Sequence, residues 1–288
     1  MKRVYFLITA LFILIAFEAS AQDYILLPEN FILHKGDKLN LHLITAAQFV
    51  KKDEIPYESA KTERFIIQAG SKKADLLKVT PVAKDTSSSV ISYALENDGL
   101  NMISMVRKSV TDDIESDDFI KILEDEGFTQ YSEKAKNGSK DSFREKYTTY
   151  MKSLVEVDKN SANGFDKPLN EEYEIVLKDN PYKGNYGGDI TAQVRLRGKP
   201  VTNATVILYI KTLAGNNIFA QKLSSDKQGQ IYFKLSREGI YLLRSLFMEP
   251  SKDKSADFET WATTFTFAFS NSGDMPNTYK EFGFGNIH

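Results

Sequence analysis

Between residues 172 and 270, apolar and polar side chains alternate in seven short runs, and nothing else in this 288-residue chain restricts its fold as tightly. Tyr173, Ile175 and Leu177 form the first run; Ile190, Ala192, Val194 and Leu196 the second. Val206, Leu208 and Ile210 follow, then Phe219 to Leu223, then Ile231, Phe233 and Leu235. Ile240, Leu242, Arg244 and Leu246 make the sixth run, and Trp261, Thr263, Phe265, Phe267 and Phe269 the last. A period of two sends successive side chains to opposite faces of a strand. Turn signals separate the runs: Asn180-Pro181, Gly187-Gly188, Gly198-Lys199-Pro200, Gly215-Asn216-Asn217 and Asp226-Lys227-Gln228-Gly229. Strands spaced by roughly 8–14 residues in this way predict an antiparallel sandwich.

The preceding residues predict a second set of strands, at Tyr24–Leu27, Leu39–Thr45, Arg64–Gln68, Leu76–Thr80, Val90–Leu95 and Leu100–Arg107. Between the two sets the period changes. Phe119, Ile120 and Leu123 fall at helical spacing before Gly127, a residue suited to the position after a helix end. Phe143, Tyr147, Tyr150, Met151 and Leu154 predict a second helix over Lys140–Val155 with Asp141 as its N-cap. The chain therefore reads as mainly β, two tandem Ig-like or prealbumin-like β-sandwiches with a two-helix insertion in the first. The expected divisions are a leader at 1–21, a first sandwich at 22–160 with its helical insertion at about 112–156, a linker at 161–171, a second sandwich at 172–270, and a tail at 271–288.

The leader is a signal peptide in pattern. Lys2 and Arg3 precede an apolar stretch from Val4 to Phe17, and Ala19-Ser20-Ala21 supplies small residues for cleavage before Gln22. The apolar stretch of about 14 residues falls short of the roughly 20 that span a bilayer. The expected destination is the periplasm or the exterior. Losing Lys2, Arg3 and Glu18 leaves 35 basic and 38 acidic side chains, a net charge of −3, which argues against nucleic acid as a partner. With no cysteine in the chain, neither disulfides nor thiolate chemistry is available.

Two resemblances follow from short motifs. Gly198 to Val206, Asp226 to Gly229 and Gly239-Ile240-Tyr241-Leu242 look like a prealbumin-like or carboxypeptidase-regulatory-type sandwich, usually a binding or spacer module. More widely, Asp23-Tyr24 after the cleavage site, Pro28 and Phe31, then Tyr147, Tyr150, Lys152 and Leu154 are followed by Glu174-Ile175-Val176, Asn180-Pro181-Tyr182 and Trp261. Together these resemble the NikM-like periplasmic family, a domain of unknown function associated with nickel and cobalt uptake. The resemblance implies a histidine at the mature N-terminus and another before a Met in the last strands. Those positions hold Gln22 and Phe247, and neither replaces imidazole as a nickel ligand.

Catalytic motifs are missing. The three histidines are His34 in a turn, His42 in a strand opposite Leu41 and Leu43, and His288 at the end, and the first two are expected to face solvent. There is no Gly-x-Ser-x-Gly elbow, no His-Glu-x-x-His and no phosphate loop. Gly184 to Gly188 reads as a turn. The acidic run Asp112 to Asp118 reads as complementing a helix dipole, since it lacks the Ca²⁺-loop pattern. Tyr24, Trp261, Tyr279, Phe282 and Phe284 exceed one core's needs and suggest an exposed aromatic patch, or a loose tail from 271 on.

Three function classes stay open. The first is an exported, non-catalytic binding or accessory protein of a metal-ion or solute uptake system in the cell envelope, partnered by an outer-membrane receptor or transporter. It uses no cofactor, and a transition-metal ion is disfavoured. The second is an envelope hydrolase using an acidic residue pair, and the third a structural or adhesive spacer. No catalytic or metal-ligating residue is nominated; Asp23, Tyr24, His42 and Trp261 are the candidate ligand contacts.

Overall fold

The computed structural model describes residues 23–79, 82–84, 88–158, 164–212 and 217–284. The expected leader, Gln22, part of the 161–171 linker, Gly215-Asn216 and His288 lie outside the described residues.

The chain begins with β1 (Asp23–Pro28), β2 (Ile32–Leu33), β3 (Lys38–Ala47), β4 (Val50–Glu54), β5 (Thr62–Ala69), β6 (Lys72–Asp75), β7 (Val82–Lys84) and β8 (Ser88–Ala94). Then come β9 (Gly99–Arg107), β10 (Val110–Glu115), helices α1 (Ser116–Asp125) and α2 (Thr129–Lys136), and β11 (Ser142–Val157). The remainder is β12 (Tyr173–Leu177), β13 (Asp189–Leu196), β14 (Lys199–Pro200), β15 (Thr205–Thr212), β16 (Ile218–Ser224), β17 (Gln230–Lys234), β18 (Gly239–Pro250), β19 (Phe258–Phe269) and a short helix α3 (Thr278–Glu281). All seven alternating runs are strands, namely β12, β13 and β15 to β19.

The two sandwiches are present and share a sheet. A ten-stranded central sheet runs β16-β15-β18-β19-β11-β9-β5-β6, with β10 and β2 also paired to β11. Its halves meet where β11 and β19 pair in parallel from Glu145↔Phe258 to Ser153↔Thr266. A five-stranded sheet (β1-β3-β8-β7, with β4 on β3) and a four-stranded sheet (β12-β13-β14, with β17 on β13) complete the layers. Consecutive residues of the shared strands belong to different cores. Met151, Val155, Ile240 and Leu242 join one core with Leu41 and Phe65. Tyr150, Leu154, Tyr241 and Leu243 join the other with Ile175 and Val194. The smaller sheets therefore cover opposite faces of the central one.

This arrangement corrects the second helix. Lys140–Val155 is not helical, because Ser142–Val157 forms a single strand buried without interruption from Thr148 to Val157. A strand covered on both faces loses its alternation, and the apolar positions then mimic a helical stripe. The second helix of the insertion is α2 instead. The first is where the spacing puts it: Asp117 and Asp118 occupy the first turn of α1, and Gly127 follows its C-cap at φ +82. The expected strand at Leu76–Thr80 is likewise not formed over its described residues, 76–79; β6 ends at Asp75, and Leu76 is buried at the turn that follows.

The tail docks. Phe282 and Phe284 are fully buried in the first core, and the backbone N–H of Thr278 donates to the Glu29 carbonyl at 2.7 Å. The exposed aromatic patch does not exist, since Trp261 is buried as well.

Candidate functional site

Two interruptions in the regularity of the central sheet meet on the face covered by the four-stranded sheet. In β5 the register against β9 shifts between Thr62 and Arg64, leaving Glu63 as the extra residue of a bulge. Bulges re-aim side chains and gather near functional sites. Across the sheet, the neighbour of β11 changes from β10, paired up to Tyr147, to β9, paired from Leu154. Ser109 Oγ bridges that gap to Thr148 Oγ1 at 2.7 Å.

A cleft of about 250 Å³ opens over these two interruptions. Its floor follows from strand parity. Lys146, Thr148 and Tyr150 share one face of β11, and Glu259 and Trp261 stand beside them on β19. The segment Asn170–Glu172 forms a wall. Four carboxylates (Glu63, Glu171, Glu172 and Glu259) face two cations, Arg64 and Lys146.

Beneath the wall lies a buried ionic network. Lys152 Nζ sits 2.5 Å from Glu174 and 3.4 Å from Glu171, all three almost without exposure. Arg64 Nη2 donates to Glu171 at 2.6 Å, and Ser104 donates to the same oxygen. Enclosed charges need such partners, and this set ties β5, β9, β11 and β12 together. The outer acids are held more loosely. Glu172 takes Arg197 at 2.9 Å, while Glu259 faces Lys146 at 3.8 Å. Glu63 is exposed and makes no ion pair among the described residues. Burial first, then Glu172, Glu63 and Glu171, push the Tyr150 phenol well above its ordinary value, against the pull of Arg64.

The four candidate contacts do not converge. Trp261 lines the cleft, 3% exposed, with the Arg197 guanidinium 4.8 Å from its ring. Phe247, at the position where the resemblance implies histidine, packs on Trp261 and on Tyr173. Asp23 is enclosed with Arg244, whose Nε donates to it at 2.6 Å and whose terminal nitrogens donate to Glu126. Burial raises the Asp23 carboxyl above its usual range although Arg244 pulls it down. Tyr24 lies under Arg107, 4.4 Å from ring to guanidinium.

His42 does not face solvent. Its side chain is on the opposite face of β3 from Leu41 and Leu43, as the alternation requires, but the C-terminal segment covers that face. His42 is 1% exposed, with Nδ1 2.7 Å from Glu54 and Nε2 3.1 Å from Glu29. Because the carboxylates sit on opposite ring nitrogens, the three groups cannot share one metal ion. His34 is exposed and pairs with Asp158 at 2.7 Å.

Among the described residues, no three or more His, Cys, Asp or Glu side chains are placed to hold a metal ion, and no helix is long and apolar enough to cross a membrane. The cleft, with carboxylate, hydroxyl and carboxamide oxygens but no imidazole, does not fit a nickel or cobalt site.

Sequence signal for the cleft was slight. Glu171 and Glu172 flank a strand start, and nothing local connects them to Glu63 or Glu259.

Solved structures similar to the chain are distant. A tetra-tandem repeat from the extending region of a large adhesion protein is 11% identical with a TM-score of 0.23, covering 87% of this chain and 50% of that one. A Salmonella alpha-2-macroglobulin mutant is 8% identical at 0.22, covering 86% and 15%. The three N-terminal domains of the bacteriophage RB49 outer capsid protein Hoc are 6% identical at 0.20, covering 87% and 100%. The chain thus spans half of the first and a small part of the second, and these likenesses carry no functional argument. No curated protein matches it. A family profile does match, over residues 19–249, and the chain belongs to the family described as Domain of unknown function (DUF4198).

Proposed function

We propose that this is an exported, non-catalytic binding or accessory protein of a cell-envelope uptake system, and that its cargo is a small organic cation held in the cleft over β5, β9, β11 and β19. The observation that carries the reading is the coincidence of two sheet interruptions, at Glu63 and at Ser109, with an acidic cavity. Glu63 and Glu259 offer acceptor oxygens to an ammonium or guanidinium group, and the ionic network of Lys152 keeps the floor rigid. Preorganised sites lose less entropy on binding.

The resemblance to the NikM-like family supports an uptake role in the periplasm, with delivery to an outer-membrane receptor or transporter. Gln22 and Phe247 turn the reading away from bare nickel or cobalt and towards an organic cation. No cofactor is required.

Calorimetric titration of residues 22–288 with putrescine, agmatine, Ni²⁺ and Co²⁺ tests this. The expected result is saturable, salt-sensitive binding of an organic cation that weakens in a Glu63→Gln, Glu259→Gln variant. Tight metal binding with no response to the diamines would overturn the choice of cargo, and a flat titration with all four would overturn the site.

A further inference from the structure

The helical insertion builds a third core of its own, and that core is incompletely filled. Phe119, Leu123, Phe143, Met248 and Phe258 form it together with Ala135. The rings are well engaged: Phe119 lies 4.9 Å from Phe143 and 5.2 Å from Phe258, and Tyr131 meets Phe258 edge-on at 5.4 Å. Beyond Tyr131, helix α2 contributes little to it. Its only buried residues are Ser132 and Ala135, both small, where a leucine would reach the opposing rings. Gly138, just beyond the helix, adds no side chain at all.

The result is a cavity of about 300 Å³ with Tyr131, Phe143, Pro250 and Phe258 as walls and Ala135 and Gly138 at the helix side. Lys134, Lys140 and Asp257 stand at its rim. Lys140 pairs with Asp257 and lies 5.6 Å from the Phe143 ring. Lys134 is exposed and makes no ion pair among the described residues. Two cations and one anion leave the rim positive, on a chain whose overall net charge is −2.

An apolar cavity with a few charged groups converging at its mouth has the composition of a small-molecule site. The volume is at the low end of the roughly 300–1,000 Å³ that such sites occupy, too small for a peptide helix. Apolar walls are poorly satisfied by water, which needs two to four polar partners. Carbon is thus favoured inside and negative charge at the mouth.

We infer that this cavity binds a small amphipathic carboxylate, its hydrocarbon part against Phe143 and Phe258 and its carboxylate between Lys134 and Lys140. The site is separate from the acidic cleft and opposite to it in charge preference. Its occupant adds the apolar surface that α2 lacks, so binding also holds the helical insertion on β11 and β19.

Calorimetric titration of residues 22–288 with octanoate, octylamine and acetate decides the matter. The expected result is one octanoate per chain, with octylamine at least tenfold weaker and acetate silent. Lys134→Glu, an exposed substitution that leaves the core untouched, is expected to weaken octanoate about tenfold. Ala135→Leu, which fills the cavity, is expected to abolish binding while circular dichroism remains unchanged. Glu63→Gln leaves octanoate binding as it was. No saturable octanoate binding, equal affinity for octylamine, or an unaltered Lys134→Glu variant would each overturn the inference.

Discussion

The imidazole of His42 lies flat against the phenol of Tyr279, ring centroids 3.7 Å apart and planes 9° from parallel. One ring belongs to β3, the other to the C-terminal helix α3. Around them Glu29 and Glu54 hold both ring nitrogens of His42. Lys51 Nζ reaches Tyr279 Oη at 2.9 Å and the Phe284 carbonyl at 2.8 Å, and Tyr279 donates to Glu54. The tail is thus fastened by a polar cluster as well as by Phe282 and Phe284.

This cluster makes stability depend on pH in a defined direction. Burial opposes charge on His42, but its bonds to Glu29 and Glu54 outweigh burial and raise its pKa above the ordinary 6.5. The folded state then holds the proton more tightly than the unfolded chain. The contribution is fully present below pH 6.5 and is lost as pH rises through the raised value. Urea midpoints measured from pH 6 to 9 are expected to fall, with a shallower fall in His42→Gln. Exposed His34, raised by its bond to Asp158, contributes in the same sense, so His34→Gln serves as the control. A slope unchanged in His42→Gln counts against a charged His42.

Tyr279→Phe keeps the stack and removes the hydroxyl from Glu54 and Lys51. The expected loss is about 1–2 kcal/mol. Truncation after Asn277 removes Phe282 and Phe284 from the core and is expected to cost several-fold more, read in chemical denaturation. A truncated chain as stable as the full one would refute the docking of the tail.

The Lys152 network predicts asymmetric mutational costs. Lys152→Met leaves Glu174 without its cation and is expected to destabilise by about 3–5 kcal/mol. Lys152→Met combined with Glu174→Leu removes both charges and is expected to recover a large part of that loss. Equal destabilisation in the single and double variants would exclude charge pairing as the cause.

The β3–β4 hairpin turns on two strained residues. Gln48 and Phe49 both have positive φ, 51° and 65°, a conformation that costs non-glycine residues of order 1 kcal/mol or more. Phe49 is nonetheless fully buried, against Phe284 at 5.4 Å and Tyr209 at 6.5 Å. Phe49→Ala is expected to cost about 3–5 kcal/mol. Gln48→Gly, which relieves strain without touching the core, is expected to be neutral or stabilising by up to about 1 kcal/mol. A strongly destabilised Gln48→Gly would contradict the strained turn.

The strands of residues 172–270 were legible because turn residues bound them and alternation survives in most. β13 shows this best, with Ile190, Ala192 and Val194 buried between more exposed neighbours. β11 was not legible as a strand. Thr148 to Val157 is buried on both faces, and a fully covered strand and a helix are indistinguishable by period alone. The same double coverage is why the shared sheet could not be read. Alternation puts His42 on the opposite face of β3 from Leu41 and Leu43, but the cover over that face comes from residues more than 200 positions away, Tyr279 among them. The cleft unites β5, β9, β11, β19 and the segment before β12, a convergence that only the parallel pairing of β11 with β19 brings about.

The central claim is that the acidic cleft takes a cation, and the chain carries its own reporter there. Trp261 is the only tryptophan of the protein and lines the cleft. Its emission, followed during titration of residues 22–288 with agmatine, is predicted to change saturably and to return when salt is added. In the Glu63→Gln, Glu259→Gln variant the same titration is predicted to need at least tenfold more agmatine. Emission that stays flat to millimolar agmatine, or a variant that responds like the unmodified protein, would contradict the account.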